Sequence, residues 1–292
     1  MKSPVFTGAC TALVTPFENN DINFKVFDDL IERQLEARAD ALVICGTTAE
    51  AAVLSDEERL LLLSHAVHYI NGRCKVIAGA GSNDTAHAVH LAKLAASLGA
   101  DAILSVTPYY NKTTQEGLIK HFEAVCDSAK LPVIVYNVPS RTGMTISVET
   151  YRRLSDIELV NGVKESSGDV PLISRILSET ELNVWSGSDE LIVPMMALGA
   201  QGAISTFGNV VPKALKKMCD KCLIGNFIDA GKLQNKYMSL IDLLFSSTNP
   251  LPVKVILNQM GINVGECRMP LYLSEEKKME LIQKAASLLP TE

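Results

Sequence analysis

The residue in this chain with the widest chemical reach is Lys164. It ends the run Leu159-Val160-Asn161-Gly162-Val163 and precedes Glu165-Ser166. An amine held at the end of a covered strand sits in a partly apolar pocket. An amine in such a pocket is available as a nucleophile toward a carbonyl. With a strand period of two, Val160, Gly162 and Lys164 share a face, and Tyr136 shares a face with Ile134. If both faces point inward, an amine and a phenol meet. A phenol there can shuttle the protons that making and breaking a Schiff base requires. The competing reading is a lysine that reaches solvent or pairs with a carboxylate.

Three further stretches carry polar groups just past apolar runs. Gly46-Thr47-Thr48-Ala49-Glu50 offers hydroxyls and backbone N–H groups that can hold a carboxylate, against plain turn chemistry as the alternative. Arg141, in a short loop between Pro139 and Gly143, suits bidentate binding of a second carboxylate, against a surface salt bridge. Tyr109 and Tyr110 are adjacent, so they cannot share one environment; one is expected to be packed and the other functional. The five histidines, His65, His68, His87, His90 and His121, all lie in helical patterns and are expected on helix surfaces. No metal site is expected, because no carboxylate cluster completes the His pairs. Cys219-x-x-Cys222 has no second pair and reads as two cysteines on one helix face. Gly79-Ala80-Gly81-Ser82-Asn83-Asp84 stops short of a dinucleotide fingerprint, and no phosphate-binding or nucleophile-elbow motif is present.

These groups need a scaffold that places them at one end. Short apolar runs alternate with longer amphipathic segments. Strands are predicted at 9–14, 41–45, 76–78, 102–106, 133–136, 159–164, 184–186 and 202–205. Helices are predicted at 24–37, from Ser55 onward, and at 84–98, 115–129, 147–154 and 212–222, with one more after each of the sixth and seventh strands. The strands are near-continuous apolar runs, as in covered parallel sheets. Gly99 and Gly199 stand where helices turn into strands, the usual place for a C′ glycine. Eight such units predict an α/β fold, a (β/α)8 TIM barrel over residues 1–224. An open doubly wound sheet is the competitor. Helical patterns at 226–245, 253–260 and 274–289 predict a C-terminal helical extension over residues 225–292. In a barrel the catalytic groups lie at the C-terminal ends of the strands, which is where Thr47, Tyr136, Arg141 and Lys164 fall.

Composition narrows the function classes. Of the 292 residues, 47% are hydrophobic and 21% charged, which excludes a disordered chain. The net charge of −6 with no basic run argues against nucleic acid or an anionic membrane as partner. No apolar stretch approaches the ~20 residues of a membrane helix. The first residues lack the apolar core of a signal peptide. Seven scattered cysteines, an odd number, fit a reducing compartment, so a soluble cytoplasmic protein is expected.

Six stretches stand in order along the chain: Gly46-Thr47-Thr48-Ala49-Glu50; Val76-Ile77-Ala78-Gly79; Thr107-Pro108-Tyr109-Tyr110-Asn111; Tyr136-Asn137-Val138-Pro139-Ser140-Arg141-Thr142-Gly143; Gly162-Val163-Lys164-Glu165; and Asn249-Pro250-Leu251-Pro252-Val253-Lys254. Together they resemble the dihydrodipicolinate synthase family, within the pyruvate-dependent class I aldolases that include N-acetylneuraminate lyase. The resemblance implies that Lys164 forms a Schiff base with pyruvate. It implies a proton relay of Thr47, Tyr136 and Tyr110, with Tyr110 coming from a neighbouring subunit. Thr48 would hold the pyruvate carboxylate, Arg141 the carboxylate of L-aspartate 4-semialdehyde, and the Ile204 carbonyl would orient Tyr136. Condensation, transimination and cyclisation would follow, on the route to diaminopimelate and lysine, with no cofactor and no metal, in a homotetramer built from tight dimers.

Two departures stand out against this pattern. Ala49 occupies a position usually glycine in the family, and would be strained if φ there is positive. The family's lysine-inhibited members carry an interface site whose matching positions here are Ala51, Ala52, Asp56, Arg59, Asn83, His87 and Tyr109. His87 replaces an acidic residue, so weak or absent feedback by lysine is expected. A retro-aldolase acting on a longer 2-keto acid sugar through the same Lys164 remains an alternative, as does a catalytically silent binding barrel.

Overall fold

The computed structural model describes residues 2–289. Eight parallel strands close on themselves: β1 (Gly8–Ala12), β4 (Ala41–Ile44), β5 (Lys75–Gly79), β6 (Ala102–Val106), β7 (Val133–Asn137), β8 (Val160–Glu165), β9 (Asn183–Ser186) and β10 (Gly202–Ser205). Between β1 and β4 a two-stranded hairpin, β2 (Phe17–Glu18) and β3 (Asp21–Ile22), stands apart, and the sequence reading did not anticipate it. The closed barrel is the predicted one, and the doubly wound alternative falls.

Alternation along the strands sorts side chains into two layers. Cys10, Val43, Ile77, Leu104, Ile134, Tyr136, Trp185 and Ile204 fill the barrel. Leu42, Ile44, Ile103, Val135, Val163 and Val184 face the helices. At the N-terminal end of the barrel Phe6 stacks on Trp185, with ring centroids 5.1 Å apart, and the Trp185 indole N–H donates to the Phe6 carbonyl at 3.3 Å.

The period-two reading of β8 needs one correction. Val133 pairs with Val160, but the next residue, Ile134, pairs with Gly162. Asn161 is the extra residue of a bulge. Its side chain turns to the N-terminal segment, donating to the Ser3 carbonyl at 2.8 Å. Val160 therefore packs in the outer layer with Val163, and the inward face of β8 carries Gly162 and Lys164 only.

The helices start and stop where local chemistry directs. These are α1 (Phe24–Glu36), α2 (Asp56–Ile70), α3 (Thr85–Ser97), α4 (Gln115–Ala129), α5 (Pro139–Thr142), α6 (Val148–Ser155), α7 (Val170–Glu179), α8 (Ile192–Ala197) and α9 (Pro212–Leu223). Ser55 and Glu58 form the anticipated capping box on α2. Gly99 and Gly199 follow α3 and α8 with φ of +87° and +112°, a conformation most side chains resist. α5 is a single turn where a loop was expected, with Pro139 opening it. The helices α10 (Phe227–Leu244), α11 (Leu251–Gln259) and α12 (Glu275–Ala286) follow, and no strand occurs after β10 among the described residues.

His121 corrects the surface-histidine expectation. It is buried in α4, bonded through Nδ1 to the Thr85 hydroxyl at 2.9 Å, and burial pushes its pKa down to about 4. His65 and His87 are half-buried against Asp28 and Asp56. Cys219 and Cys222 are buried on α9, and all seven cysteines are free. No helix among the described residues is long and apolar enough to cross a membrane.

Candidate active site

Register brings the two groups singled out first into contact. Tyr136 of β7 pairs with Lys164 of β8. Both point into the barrel mouth, and the Lys164 Nζ lies 4.4 Å from the centroid of the Tyr136 ring. Lys164 is 5% exposed, so it does not reach for solvent. Its stem runs past Gly187. A Cβ on Gly187 would stand 2.8 Å from Lys164 Cε and 2.9 Å from Cγ, so the lysine occupies the room a side chain would take.

A cavity of about 730 Å³ opens above the pair. Of the anticipated residues, Thr47, Thr48, Tyr136, Arg141 and Lys164 line it. Ile204 lies below, buried in the interior layer with Tyr136. Tyr110 does not line it: its side chain is 92% exposed, on a backbone with φ of +69°. Tyr109 is half-buried and lines a second, mainly apolar chamber of about 310 Å³. That chamber shares Thr47, Tyr136, Val138, Arg141 and Asn249 with the first. The two tyrosines thus occupy different environments.

The turn that carries Thr47 and Thr48 is a short 3₁₀ helix, Thr47–Ala49. The Thr48 hydroxyl accepts from Asn249 Nδ2 at 2.9 Å and lies 3.2 Å from the Thr206 hydroxyl. Thr206 is held in turn by Asp189, whose carboxylate accepts the N–H groups of Thr206 at 3.0 Å and Phe207 at 2.7 Å. Asp189 is fully buried, and desolvation raises its pKa to about 6 despite those bonds and the nearby Lys164 charge. Positive φ falls at Glu50 (+60°) and Cys45 (+58°), not at Ala49. The anticipated strain at Ala49 is therefore absent: it sits in the 3₁₀ turn, and its carbonyl accepts from Thr15 at 2.8 Å.

Arg141 projects from α5 at the rim, donating to the Asn249 carbonyl at 3.1 Å. Four polar groups of the site went unassigned in the sequence reading: Asn249, Thr206, Asp189 and Ser166. Asn249 opens the quoted Asn-Pro-Leu-Pro-Val-Lys stretch, so its signal was visible. Ser166 Oγ is buried beside Lys164 without a hydrogen-bond partner among the described residues. No group of three or more His, Cys, Asp or Glu among the described residues is placed to hold a metal ion.

This arrangement can bind an anion beside a buried amine and pass protons through a phenol. Comparison with known proteins gives the same direction. Residues 5–288 match the model of the dihydrodipicolinate synthetase family. The 4-hydroxy-tetrahydrodipicolinate synthase of Acetivibrio thermocellus is 44% identical over 286 residues, covering 97% of each chain. The crystal structure of dihydrodipicolinate synthase from Aquifex aeolicus superposes with a TM-score of 0.93 at 40% identity, covering 97% of this chain and 99% of that one. The chloride-inhibited dihydrodipicolinate synthase of Acinetobacter baumannii, complexed with pyruvate, gives 0.93 at 38%, covering 97% and 98%. With a family match over nearly its whole length and relatives above 40% identity, this chain belongs to the dihydrodipicolinate synthetase family.

Proposed function

We propose that this chain is a 4-hydroxy-tetrahydrodipicolinate synthase in which Lys164 carries the reaction. The observation that supports this most directly is the buried Lys164 amine against the Tyr136 ring, beneath a cavity lined by Thr47, Thr48 and Arg141. Lys164 attacks the ketone carbon of pyruvate, and loss of water leaves an iminium. Loss of a methyl proton gives the enamine, whose terminal carbon bonds to the aldehyde carbon of L-aspartate 4-semialdehyde. The amino group of that substrate then attacks the iminium carbon, closing the ring and expelling Lys164. Thr47, Tyr136 and Tyr110 move the protons these steps need. Thr48 binds the pyruvate carboxylate, Arg141 binds that of the second substrate, and the Ile204 carbonyl orients Tyr136.

The exposed Tyr110 has no place in its own cavity, which favours its crossing into a neighbour's site within a homotetramer built from tight dimers. The division of labour is part of the proposal: a catalytic barrel over residues 1–224, and an extension over 225–292 that supplies Asn249 to the cavity. The small substrates, the free cysteines and the acidic net charge fit a cytoplasmic enzyme without cofactor.

The test is turnover of pyruvate with L-aspartate 4-semialdehyde, coupled to a reductase that consumes the cyclic product. Borohydride with pyruvate should leave one reduced adduct, absent in Lys164→Ala. Trapping without turnover would move the reading to a retro-aldolase acting on a longer keto acid. For Tyr110, mixing Tyr110→Phe with Lys164→Ala should recover activity on subunit exchange; no recovery after verified exchange removes the crossing.

A further inference from the structure

Glu50 and Lys254 are two charged members of the quoted motifs that lie buried, and neither has a part in the chemistry above. Their side chains are 0% and 1% exposed, and Glu50 Oε1 lies 2.6 Å from Lys254 Nζ. Glu50 closes the Thr47–Ala49 turn in a left-handed conformation, and Cys45 adopts another just before it. Non-glycine residues persist in that region only where their surroundings over-determine it.

The surroundings here come from the C-terminal extension. The Arg268 N–H donates to Glu50 Oε2 at 2.8 Å. The Arg268 guanidinium forks onto the Glu58 carboxylate and also donates to the Val53 carbonyl at 3.1 Å. Lys254 donates to the Glu266 carbonyl at 3.0 Å. Both cations lie on the ring of Phe17, each 4.2 Å from its centroid. Lys254 does not line the 730 Å³ cavity, so it cannot touch substrate there. A buried ion pair of this kind is weak as a source of stability, and its best-attested use is to fix one geometry against alternatives.

We propose that Glu50 and Lys254 are positioning residues: through their buried pair, α11 and the 266–268 segment set the Thr47–Thr48 turn, and with it the affinity for the carboxylate of pyruvate. The inference rests on the assignment of Thr48 to that carboxylate. Perturbing the pair acts on pyruvate and leaves the second substrate, held by Arg141, nearly untouched.

The experiment compares Lys254→Met, Glu50→Gln and their double variant with Thr48→Val, measuring Tm, kcat and the KM of each substrate. Either single variant strands a polar partner in the interior, and Tm falls. The double variant removes both charges and should recover most of the Tm. Its pyruvate KM should stay raised tenfold or more, with the KM for the aldehyde within twofold of wild type. A double variant with recovered Tm and wild-type pyruvate KM overturns the inference, because the pair would then be structural only. If the double variant does not fold, Glu50→Asp, which keeps the charge and withdraws it by one methylene, carries the test, and an unchanged pyruvate KM again overturns it. An unchanged pyruvate KM in Thr48→Val sinks the Thr48 assignment instead, which distinguishes the two failures.

Discussion

Replacing Gly187 by Ala probes the placement of Lys164 without touching any reacting atom. The new Cβ would meet Ser166 Oγ at 2.0 Å, Lys164 Cε at 2.8 Å and Lys164 Cγ at 2.9 Å. The serine hydroxyl has no hydrogen bond to lose among the described residues and can rotate away cheaply. The lysine has no such freedom: it is 5% exposed, and its amine already rests on the Tyr136 ring at 4.4 Å. Overpacking of this kind costs ~1–3 kcal/mol, or several degrees of Tm at this chain length. The larger effect is on rate. A misplacement of ~1 Å at a reacting group costs on the order of 10²-fold. The assay is the single-turnover rate of borohydride trapping at saturating pyruvate, beside kcat for the coupled reaction. Both should fall by ~10²-fold while the far-ultraviolet spectrum stays unchanged. A folded variant that traps at the wild-type rate would falsify the claim that the lysine stem needs that space. Adding Ser166→Ala separates the two contacts: rescue by the double variant would mean that the serine, not the lysine, is what the methyl group strikes.

Three further outcomes follow from the geometry. Lysine up to millimolar concentration should leave turnover unchanged, because His87 Nε2 already bonds Asp56 at 3.0 Å and Nδ1 lies 3.1 Å from the Ser82 hydroxyl; a micromolar inhibition curve would refute this. His121, with a folded pKa of about 4 against 6.5 ordinarily, contributes stability that is complete above 6.5 and is lost as pH falls toward 4. That loss reaches ~3 kcal/mol at most, read as the difference in unfolding free energy between wild type and His121→Gln. Asp189, raised to about 6, works in the opposite sense over that range, so only the difference between the two proteins isolates the histidine, and a flat difference would refute the assignment. Ala49→Gly should lower stability by ~0.5–1 kcal/mol, not raise it, since Ala49 is free of positive φ; a rise in Tm would count against this.

What the sequence made legible was what local rules control. The capping box at Ser55 and the glycines at 99 and 199 mark boundaries through chemistry within a few residues. The alternation that brought Tyr136 to the same face as Ile134 did the same for one strand. The bulge at Asn161 escaped because its cause is tertiary: the side chain is drawn off by the N-terminal segment, and no neighbour in sequence announces that. His121 looked like a surface residue because its helix is amphipathic, yet its partner Thr85 lies thirty-six residues away. Asn249 was quoted within a motif without a role, since only folding brings it 2.9 Å from the Thr48 hydroxyl. The φ values at Ala49 and Glu50 were beyond reach as well, because a turn's handedness depends on what holds its ends.

The stacked Phe6 and Trp185 at the far end of the barrel have a consequence for traffic. They plug the barrel interior at that end, so the approach to Lys164 lies on the side where Thr47, Thr48 and Arg141 stand. Under the proposed reaction, pyruvate enters from the side that carries Arg141, and the water its condensation releases leaves from that side too. In that reaction the aldehyde arrives from the same side afterwards, onto a first reactant already bonded to Lys164. On that reading the depth of Lys164 in the barrel orders the additions, and the cyclic product must clear the space above it before the next pyruvate can reach the amine.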